Sequence, residues 1–400
     1  MAAPPADQPP DLVYDPYDYA IHEDPYPTYA RLREEAPVYH NAARGFWALS
    51  RFHDVLAALQ DWETYSSVGG VALEKGSGQA PPMIIAMDPP RQLKLRRLVS
   101  KVFTPRRIAE LEPRVRALTL KHLGPLLARG EGDVLAEFAA KLPMDVISTM
   151  LGVPDEDQDT LRGWSDALLH REAGQGEVTA AGQEGARGIV GYFMRDIAKK
   201  RANPGDDLIS ALLAAEVDGE RLADDEVLGF CFLLVIAGNE TTTKMLGNAL
   251  VLLDRHPEQK AVAVGDPAAM AGVVEEVLRY DNSTQMLARS VTREVTLHDR
   301  TIPAGSRILV LIGAGNRDPR AFAHPDRFDV RRKPEQILHF GNGIHVCLGA
   351  ALARLEGRVA LEEVHRRMPD YVVDRAGLVR VHSANVRGYA AVPVRFTPGR

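Results

Sequence analysis

The middle of the chain carries a pattern of apolar and polar positions that is typical of helices. From about Pro105 to Pro257, apolar residues recur at intervals of three and four positions, the spacing that places them on one helix face. Turn-forming stretches at 152–158 (GVPDEDQ) and 203–207 (NPGDD) interrupt this pattern. The pattern therefore predicts a set of packed helices joined by turns.

Segments typical of β-strands are few and short. They are FWALS at 46–50, VTLHD at 295–299, RILVLI at 307–312, YVV at 371–373 and VPVRF at 392–396. The sequence shows no repeat of fixed period and no linker with a sharp change of composition. We therefore expect a single, mainly helical domain at 13–400 with small peripheral β-sheets, after a loose, proline-rich tail at 1–12.

Composition and charge argue against several classes of protein function. Apolar residues make up 45% of the chain and charged residues 26%, as in globular proteins. The net charge of -6 gives no electrostatic basis for nucleic-acid binding. The longest apolar run, Phe230 to Gly238, is far shorter than the roughly 20 residues that span a bilayer, and the amino terminus lacks the pattern of a signal peptide. We expect a cytoplasmic protein with no membrane insertion.

The sequence FGNGIHVCLG at 340–349 places a cysteine directly before a helix-forming segment. A thiolate at Cys347 would be stabilised by the positive end of the helix dipole and by free backbone N–H groups, both of which lower a cysteine pKa. Glycines at 341, 343 and 349 remove side chains near the sulfur, so a flat cofactor such as a haem could approach closely. Taken alone, a Cys-x-Gly sequence is more often a buried structural cysteine than a ligand. The other cysteine, Cys231, lies in an apolar run and is expected to be a packing residue.

A long segment from about Asp224 to Arg255 turns abruptly polar in its middle, at AGNETTT (237–243). Threonine hydroxyls can bond to the carbonyl four residues back, and Gly238 weakens the same turn, so we expect a local opening of the helix. Glu240 and Thr241 would then supply a carboxylate and a hydroxyl that could relay protons. A polar patch that merely faces solvent is the alternative explanation of these residues alone.

Two charged groupings are weaker signals. Glu276 and Arg279 stand three positions apart, and a surface pair of this kind contributes only about 0.2–0.5 kcal/mol. Asp88-Pro89-Pro90 is a favourable helix start, after which Gln92 and Arg96 share one helix face. A basic stripe on another side of this helix could bind an acidic electron donor or could simply be solvated; it comprises Lys94, Arg97 and Lys101.

Taken together, these segments resemble the cytochrome P450 family. Phe340, Gly343, Cys347 and Gly349 stand at the spacing of its haem-binding motif, a highly specific ten-residue pattern, and AGNETTT is similar to its oxygen-activation motif. EEVLRY, GNRDP and PDRFD follow in the family's order. The resemblance runs from about Asp15 to the carboxyl terminus. It implies the triangular, mainly helical P450 fold, with the haem between the long central helix and the helix after the cysteine loop.

The resemblance also implies a role for each site residue. Cys347 would bind the iron of haem b (iron protoporphyrin IX) as a thiolate, with Glu240 and Thr241 as the catalytic acid and alcohol, and Glu276 and Arg279 would brace the proximal side. The other implied haem contacts are His345, Arg289, Arg96, Gln92, Phe340, Gly341, Gly349, Ala237 and Gly238. Gln92 departs from the family pattern, which often has histidine there. Propionate anchoring on that side should therefore be weaker and rest on Arg96, Arg289 and His345.

The implied reaction inserts one atom of dioxygen into a small apolar organic substrate. Because the chain carries no flavin or iron–sulfur motif, a separate ferredoxin and an NAD(P)H-dependent ferredoxin reductase are the implied electron donors. By resemblance the substrate pocket includes Val71, Ile84, Ile85, Leu169, Val235, Met286, Leu287 and Val386. A peroxygenase, a haem-thiolate isomerase or dehydratase, and a noncatalytic haem protein are the alternatives. Glu240 and Thr241 argue against all of these, since none of them needs a proton relay for oxygen activation.

Overall fold

The computed structural model describes residues 8–74, 81–101, 103–170, 172, 177–217 and 219–398. Most of them are helical. The α-helices are α1 (Tyr19–Glu23), α2 (Tyr26–Glu35), α3 (Phe52–Gln60), α4 (Arg91–Ser100), α5 (Pro105–Glu110), α6 (Glu112–Arg129), α7 (Lys141–Leu151), α8 (Asp155–Leu169), α9 (Ala180–Ala202), α10 (Leu208–Ala214), α11 (Asp224–Leu233), α12 (Asn239–Arg255), α13 (Pro257–Gly265), α14 (Met270–Tyr280), α15 (Ile312–Gly315) and α16 (Ala350–Arg367). The helices predicted between Pro105 and Pro257 are confirmed.

The β-structure is limited to short strands. They are β1 (Val38–Asn41), β2 (Phe46–Leu49), β3 (Tyr65–Ser66), β4 (Glu131–Asp133), β5 (Glu216–Val217), β6 (Glu220–Arg221), β7 (Leu287–Val291), β8 (Val295–Leu297), β9 (Arg300–Ile302), β10 (Arg307–Val310), β11 (Val372–Val373), β12 (Val379–Arg380), β13 (Tyr389–Ala391) and β14 (Pro393–Arg395). All five segments predicted as strands contain one. The largest sheet has the order β1-β2-β10-β7-β3 and is antiparallel except between β2 and β10.

The segment predicted as one long helix is α11, a π-helical turn at Leu234–Gly238, and α12 in direct succession. Its start is fixed by acidic residues in the first turn, where carboxylates interact favourably with the helix dipole, and the Ala223 N–H donates to Glu226 at 3.0 Å. Almost all of α12 is buried, as expected for a helix that is surrounded by others. The largest apolar cluster packs around this helix and includes residues of α6 to α9, α14 and α16.

The EEVLRY pair is a buried element of the fold and not the surface pair that its spacing alone suggests. Arg279 and Glu276 form two hydrogen bonds, Nε to Oε2 at 2.7 Å and Nη2 to Oε1 at 2.8 Å, and neither side chain is more than 1% exposed. Arg279 Nη1 also donates to the carbonyls of Asn316 at 3.0 Å and Pro325 at 2.8 Å. The pair therefore ties α14 to the chain that leads towards the cysteine loop.

The prediction of a loose tail at 1–12 is wrong for its last part. Leu12 is buried, and Gln8 exchanges two hydrogen bonds with the backbone of His40 in β1, at 3.1 and 3.3 Å. These contacts bind residues 8–12 to the first sheet, while 1–7 lie outside the described residues. That 13–400 form a single domain stays a prediction. Within the described part of the chain, no helix has the length and apolarity to cross a membrane.

Candidate functional site

The cysteine loop is a tightly wound turn that ends at α16. The Cys347 N–H donates to the Phe340 carbonyl at 2.8 Å, and a short 3-10 turn at Gly343–His345 lies between them. Gly341 and Gly343 have φ of 71° and 68°, the left-handed region that side chains rarely allow. A Cβ on Gly343 would also lie 2.9 Å from the Leu59 carbonyl oxygen. The glycines therefore set the course of the loop and place the cysteine sulfur just before the helix.

The Cys347 side chain is exposed, and opposing effects act on its ionisation. The surrounding protein raises the pKa of the thiol overall, against the lowering by the Gly349 N–H and by the charges of Arg96 and Arg354. That the loop by itself favours an ionised sulfur therefore stays a prediction. A metal ion bound there would favour the thiolate, because a coordinating thiol loses its proton to the metal.

Three nitrogen-bearing side chains, Arg289, His345 and Arg96, lie near one another at the cysteine loop, and Asp88 is the acidic group that acts on Arg289 and His345. Arg289 is 3% exposed, and its one hydrogen bond among the described residues is to the Ala288 carbonyl, at 2.8 Å. His345 Nε2 is buried and has no hydrogen-bond partner, and Arg96 forms no ion pair with the residues described. Burial, followed by the charges of Arg289 and Arg96, lowers the pKa of His345 to about 4. Such a cluster suits anionic groups, as the two propionates of a haem would be.

Gln92 occupies the predicted face of α4, but its donor nitrogen is already engaged. The side chain is fully buried, and Nε2 donates to the Ile344 carbonyl at 2.9 Å. Gln92 therefore ties α4 to the cysteine loop, and its direct contact with a propionate stays a prediction. The signal for this role was present in the sequence as the departure from the family's histidine.

The helix opening predicted at AGNETTT is confirmed as the π-helical turn. Thr241 Oγ1 donates to the Ala237 carbonyl at 2.7 Å, four residues back, and π-turns of this kind often occur at functional sites. Ala237 is exposed on the open side of this turn. A Cβ on Gly238 would lie 2.5 Å from Ile147 Cδ1, so that side of Gly238 faces α7 and allows close packing there.

Glu240 is buried next to a lysine that the sequence analysis did not single out. Glu240 Oε1 lies 2.9 Å from Lys244 Nζ, and both side chains are less than 10% exposed. Because successive helix residues point about 100° apart, Glu240 and the neighbouring Thr241 face different sides of α12. The spacing of four between Glu240 and Lys244 was the signal that could have revealed this pair.

The predicted substrate-pocket residues divide into two groups. Those that are partly exposed are Val71, Ile84, Ile85, Leu169 and Leu287. Those that are buried are Val235, Met286 and Val386, with 0%, 2% and 6% exposure. The buried three pack in the protein interior, and their place in a substrate pocket stays a prediction. Several positions of the predicted pocket walls lie outside the described residues: 75–80, 171 and 173–176.

Two lysines of the basic stripe on α4 contact other parts of the chain. Lys94 Nζ lies 2.6 Å from Glu220 Oε1, and Lys101 Nζ donates to the Glu216 carbonyl at 2.9 Å. These contacts come from the hairpin of β5 and β6, which packs over this side of the helix. Lys94 and Lys101 thus have partners within the chain, and binding of an acidic electron donor by the stripe stays a prediction.

Comparisons with known proteins agree with this geometry. A family model described as Cytochrome P450 matches residues 269–367. The chain is 50% identical over 390 residues to a putative cytochrome P450 123 of Mycobacterium tuberculosis, covering 96% of this chain and 97% of the relative.

Solved structures give the same result at the level of the fold. The cytochrome P450 CYP109Q5 from Chondromyces apiculatus superposes with a TM-score of 0.88 and 39% identity, covering 96% of this chain and 98% of the other. CYP109E1 from Bacillus megaterium in complex with testosterone gives a TM-score of 0.84 and 32% identity, covering 94% of this chain and 99% of the other.

Proposed function

The chain belongs to the cytochrome P450 family of haem-thiolate monooxygenases, and we propose that it hydroxylates or epoxidises a small apolar substrate with electrons from a ferredoxin and its reductase. The observation that carries the proposal is the cluster at the cysteine loop: Cys347 stands directly before a helix, and Arg96, Arg289 and His345 supply nitrogen donors that form no ion pair among the described residues. A bound haem with a thiolate ligand supplies the activation of dioxygen.

The cofactor is proposed to be haem b, held without covalent bonds. A haem attached through thioether bonds would need a cysteine in addition to the iron ligand. The chain has two cysteines, and the second, Cys231, is fully buried in the apolar core with its pKa raised by burial. Cys347 is therefore the cysteine assigned to the iron, and Arg96, Arg289 and His345 are assigned to the propionates.

The chain's own contribution to the chemistry is to orient the substrate and to supply protons. Thr241 holds its hydroxyl at the widened turn through the Ala237 carbonyl. Glu240, on the adjacent face, is the carboxyl group proposed to supply protons to that hydroxyl. Proton transfer by positioned side chains of this kind typically contributes a factor of about 10² to 10⁴ in rate.

Electron delivery is proposed to come from a separate protein. Two cysteines are too few for an iron–sulfur cluster with four cysteine ligands. A ferredoxin and an NAD(P)H-dependent ferredoxin reductase would supply the electrons. Because these donors and NAD(P)H act in the cytoplasm, a cytoplasmic location is part of the proposal.

The substrate is proposed to be a small apolar organic compound. Partly exposed aliphatic side chains at Val71, Ile84, Ile85 and Leu287 support an apolar pocket. The structure of the Bacillus megaterium relative is that of a complex with testosterone. This supports including steroids among the first compounds tested.

Titration of the purified haem protein with steroids, terpenoids, fatty acids and macrolides tests this proposal. A substrate that displaces the iron-bound water shifts the haem absorption spectrum, and we expect this shift with apolar compounds. Turnover is then measured with ferredoxin, reductase and NAD(P)H. An oxygenated product that forms only with all three supports the proposal, whereas product from peroxide alone would support a peroxygenase.

A further inference from the structure

A cavity of about 330 Å³ lies on the side of α12 that carries Glu240. It is enclosed by α8, by α12 and by the chain at 381–383. The charged and titratable side chains that line it are Arg162, Asp166, His170, Glu240, Lys244 and His382. The cavity is polar enough for water to bridge the groups that face it.

Asp166 of α8 meets Glu240 in this cavity. The two carboxyl groups line the same cavity and act on each other electrostatically, and Asp166 is exposed while Glu240 is only 6% exposed. Two carboxyl groups that interact in this way are favoured to hold one proton between them, because neighbouring like charges disfavour ionisation of both. Burial and the neighbouring Glu240 raise the pKa of Asp166, and the positive charges of Lys244 and Arg162 oppose this rise.

Lys244 fixes the orientation of the pair. Its ammonium group lies 2.9 Å from Glu240 Oε1, four residues further along the same helix, and is 7% exposed. The Glu240 carboxyl is thus held towards the cavity. The hydroxyl of its neighbour Thr241 is hydrogen-bonded to the Ala237 carbonyl in the π-turn, on the next face of the helix. Glu240 lies between the cavity and the turn.

We propose that Asp166 is the residue through which protons enter the site, passing them from cavity water to Glu240, and that Lys244 is a positioning residue for this transfer. The inference rests on the proposed monooxygenase function. For each dioxygen, insertion of one oxygen atom consumes two electrons from NAD(P)H and two protons that reach the site from solvent. The other oxygen atom leaves as water. Each proton that Glu240 gives up is replaced from solvent through Asp166.

The first test is the Asp166→Asn variant, with Glu156→Gln as the matched control. Glu156 is an exposed carboxylate in the first turn of the same helix, away from the cavity. In Asp166→Asn we expect kcat to fall by about tenfold or more, with a larger solvent deuterium isotope effect and unchanged haem content. Asp166→Glu should restore part of the rate. Unchanged turnover and isotope effect in Asp166→Asn would overturn the proposal.

A second measurement does not depend on turnover. Infrared titration of the intact haem protein should show a protonated carboxyl band that persists above the ordinary range of aspartate, is lost in Asp166→Asn and remains in Glu156→Gln. In Lys244→Met the band should titrate at higher pH, because a cation that lowers the pKa of Asp166 has gone. A band that stays in Asp166→Asn would contradict the shared proton.

The two measurements separate this inference from the proposed function. If the wild-type protein forms no product with its electron donors, the monooxygenase proposal fails. The proposed role of Asp166 rests on that proposal and then fails too, even if the infrared band shows the shared proton. If the wild type turns over normally and Asp166→Asn behaves like Glu156→Gln in both measurements, only the role of Asp166 is wrong.

Discussion

Glu356, on the helix that follows the cysteine loop, lies close enough to Thr242, the residue after Thr241 on the central helix, for the threonine side chain to lower the pKa of its carboxyl. Glu356 is 2% exposed, and its Oε1 has no partner among the residues described. Burial raises the pKa of this carboxyl to about 8. The contact joins the helix behind the cysteine to the helix that carries the proposed proton relay.

The buried carboxyl of Glu356 should make the protein less stable as the pH rises. The unfolded chain releases this proton near the ordinary value of 4.5, whereas the folded protein keeps it up to about pH 8. Stability should therefore fall between these values, by at most about 1.4 kcal/mol per pH unit, and level off above them. Thermal unfolding of wild type and Glu356→Gln across pH 5 to 8 measures this effect. The variant should lose less stability than wild type, and parallel profiles would contradict the assignment.

Replacing Cys347 by serine should remove the thiolate ligand. We expect loss of both turnover and the thiolate absorption band of the reduced, carbon monoxide-bound protein. Cys231→Ser is the matched control, because Cys231 is buried in the core, and this variant should keep the band. If Cys347→Ser still shows the thiolate band, the ligand assignment is wrong.

Replacing Thr241 by alanine should separate electron consumption from product formation. The variant lacks the hydroxyl at the π-turn, so we expect NAD(P)H oxidation to continue while the amount of product per NAD(P)H falls severalfold. Thr241→Ser keeps a hydroxyl and should restore much of the coupling. Full coupling in Thr241→Ala would exclude Thr241 from the relay.

Replacing Arg279 by alanine should strongly destabilise the fold. The change leaves Glu276 buried without its partner, and breaking a buried pair in this way costs about 3–5 kcal/mol. Chemical denaturation monitored by circular dichroism compares this variant with Arg106→Ala, which removes an exposed pair with Glu110. Equal midpoints for the two variants would show that the buried pair is not structurally important.

The local chemistry of the site could be predicted from the sequence because it depends on residues close together in the chain. The cysteine loop, the opened turn at AGNETTT and the helix start after Pro90 all follow from propensity and spacing over a few residues. The same holds for the assignment of Cys347, Glu240 and Thr241 as candidates. The short strands were found because β-branched and aromatic residues cluster in them.

Only the tertiary structure decided which side chains are buried together. The charges of Arg96 and Arg354, which act on the Cys347 thiol, come from helices before and after the cysteine loop, and only the fold brings Arg96 near it. The contact of Asp166 with Glu240 joins residues 74 positions apart, and no periodicity signals it. The burial of Val235, Met286 and Val386 was likewise decided by packing. Short-range propensities determine the helices and loops, whereas desolvation and charge pairing depend on how those elements pack.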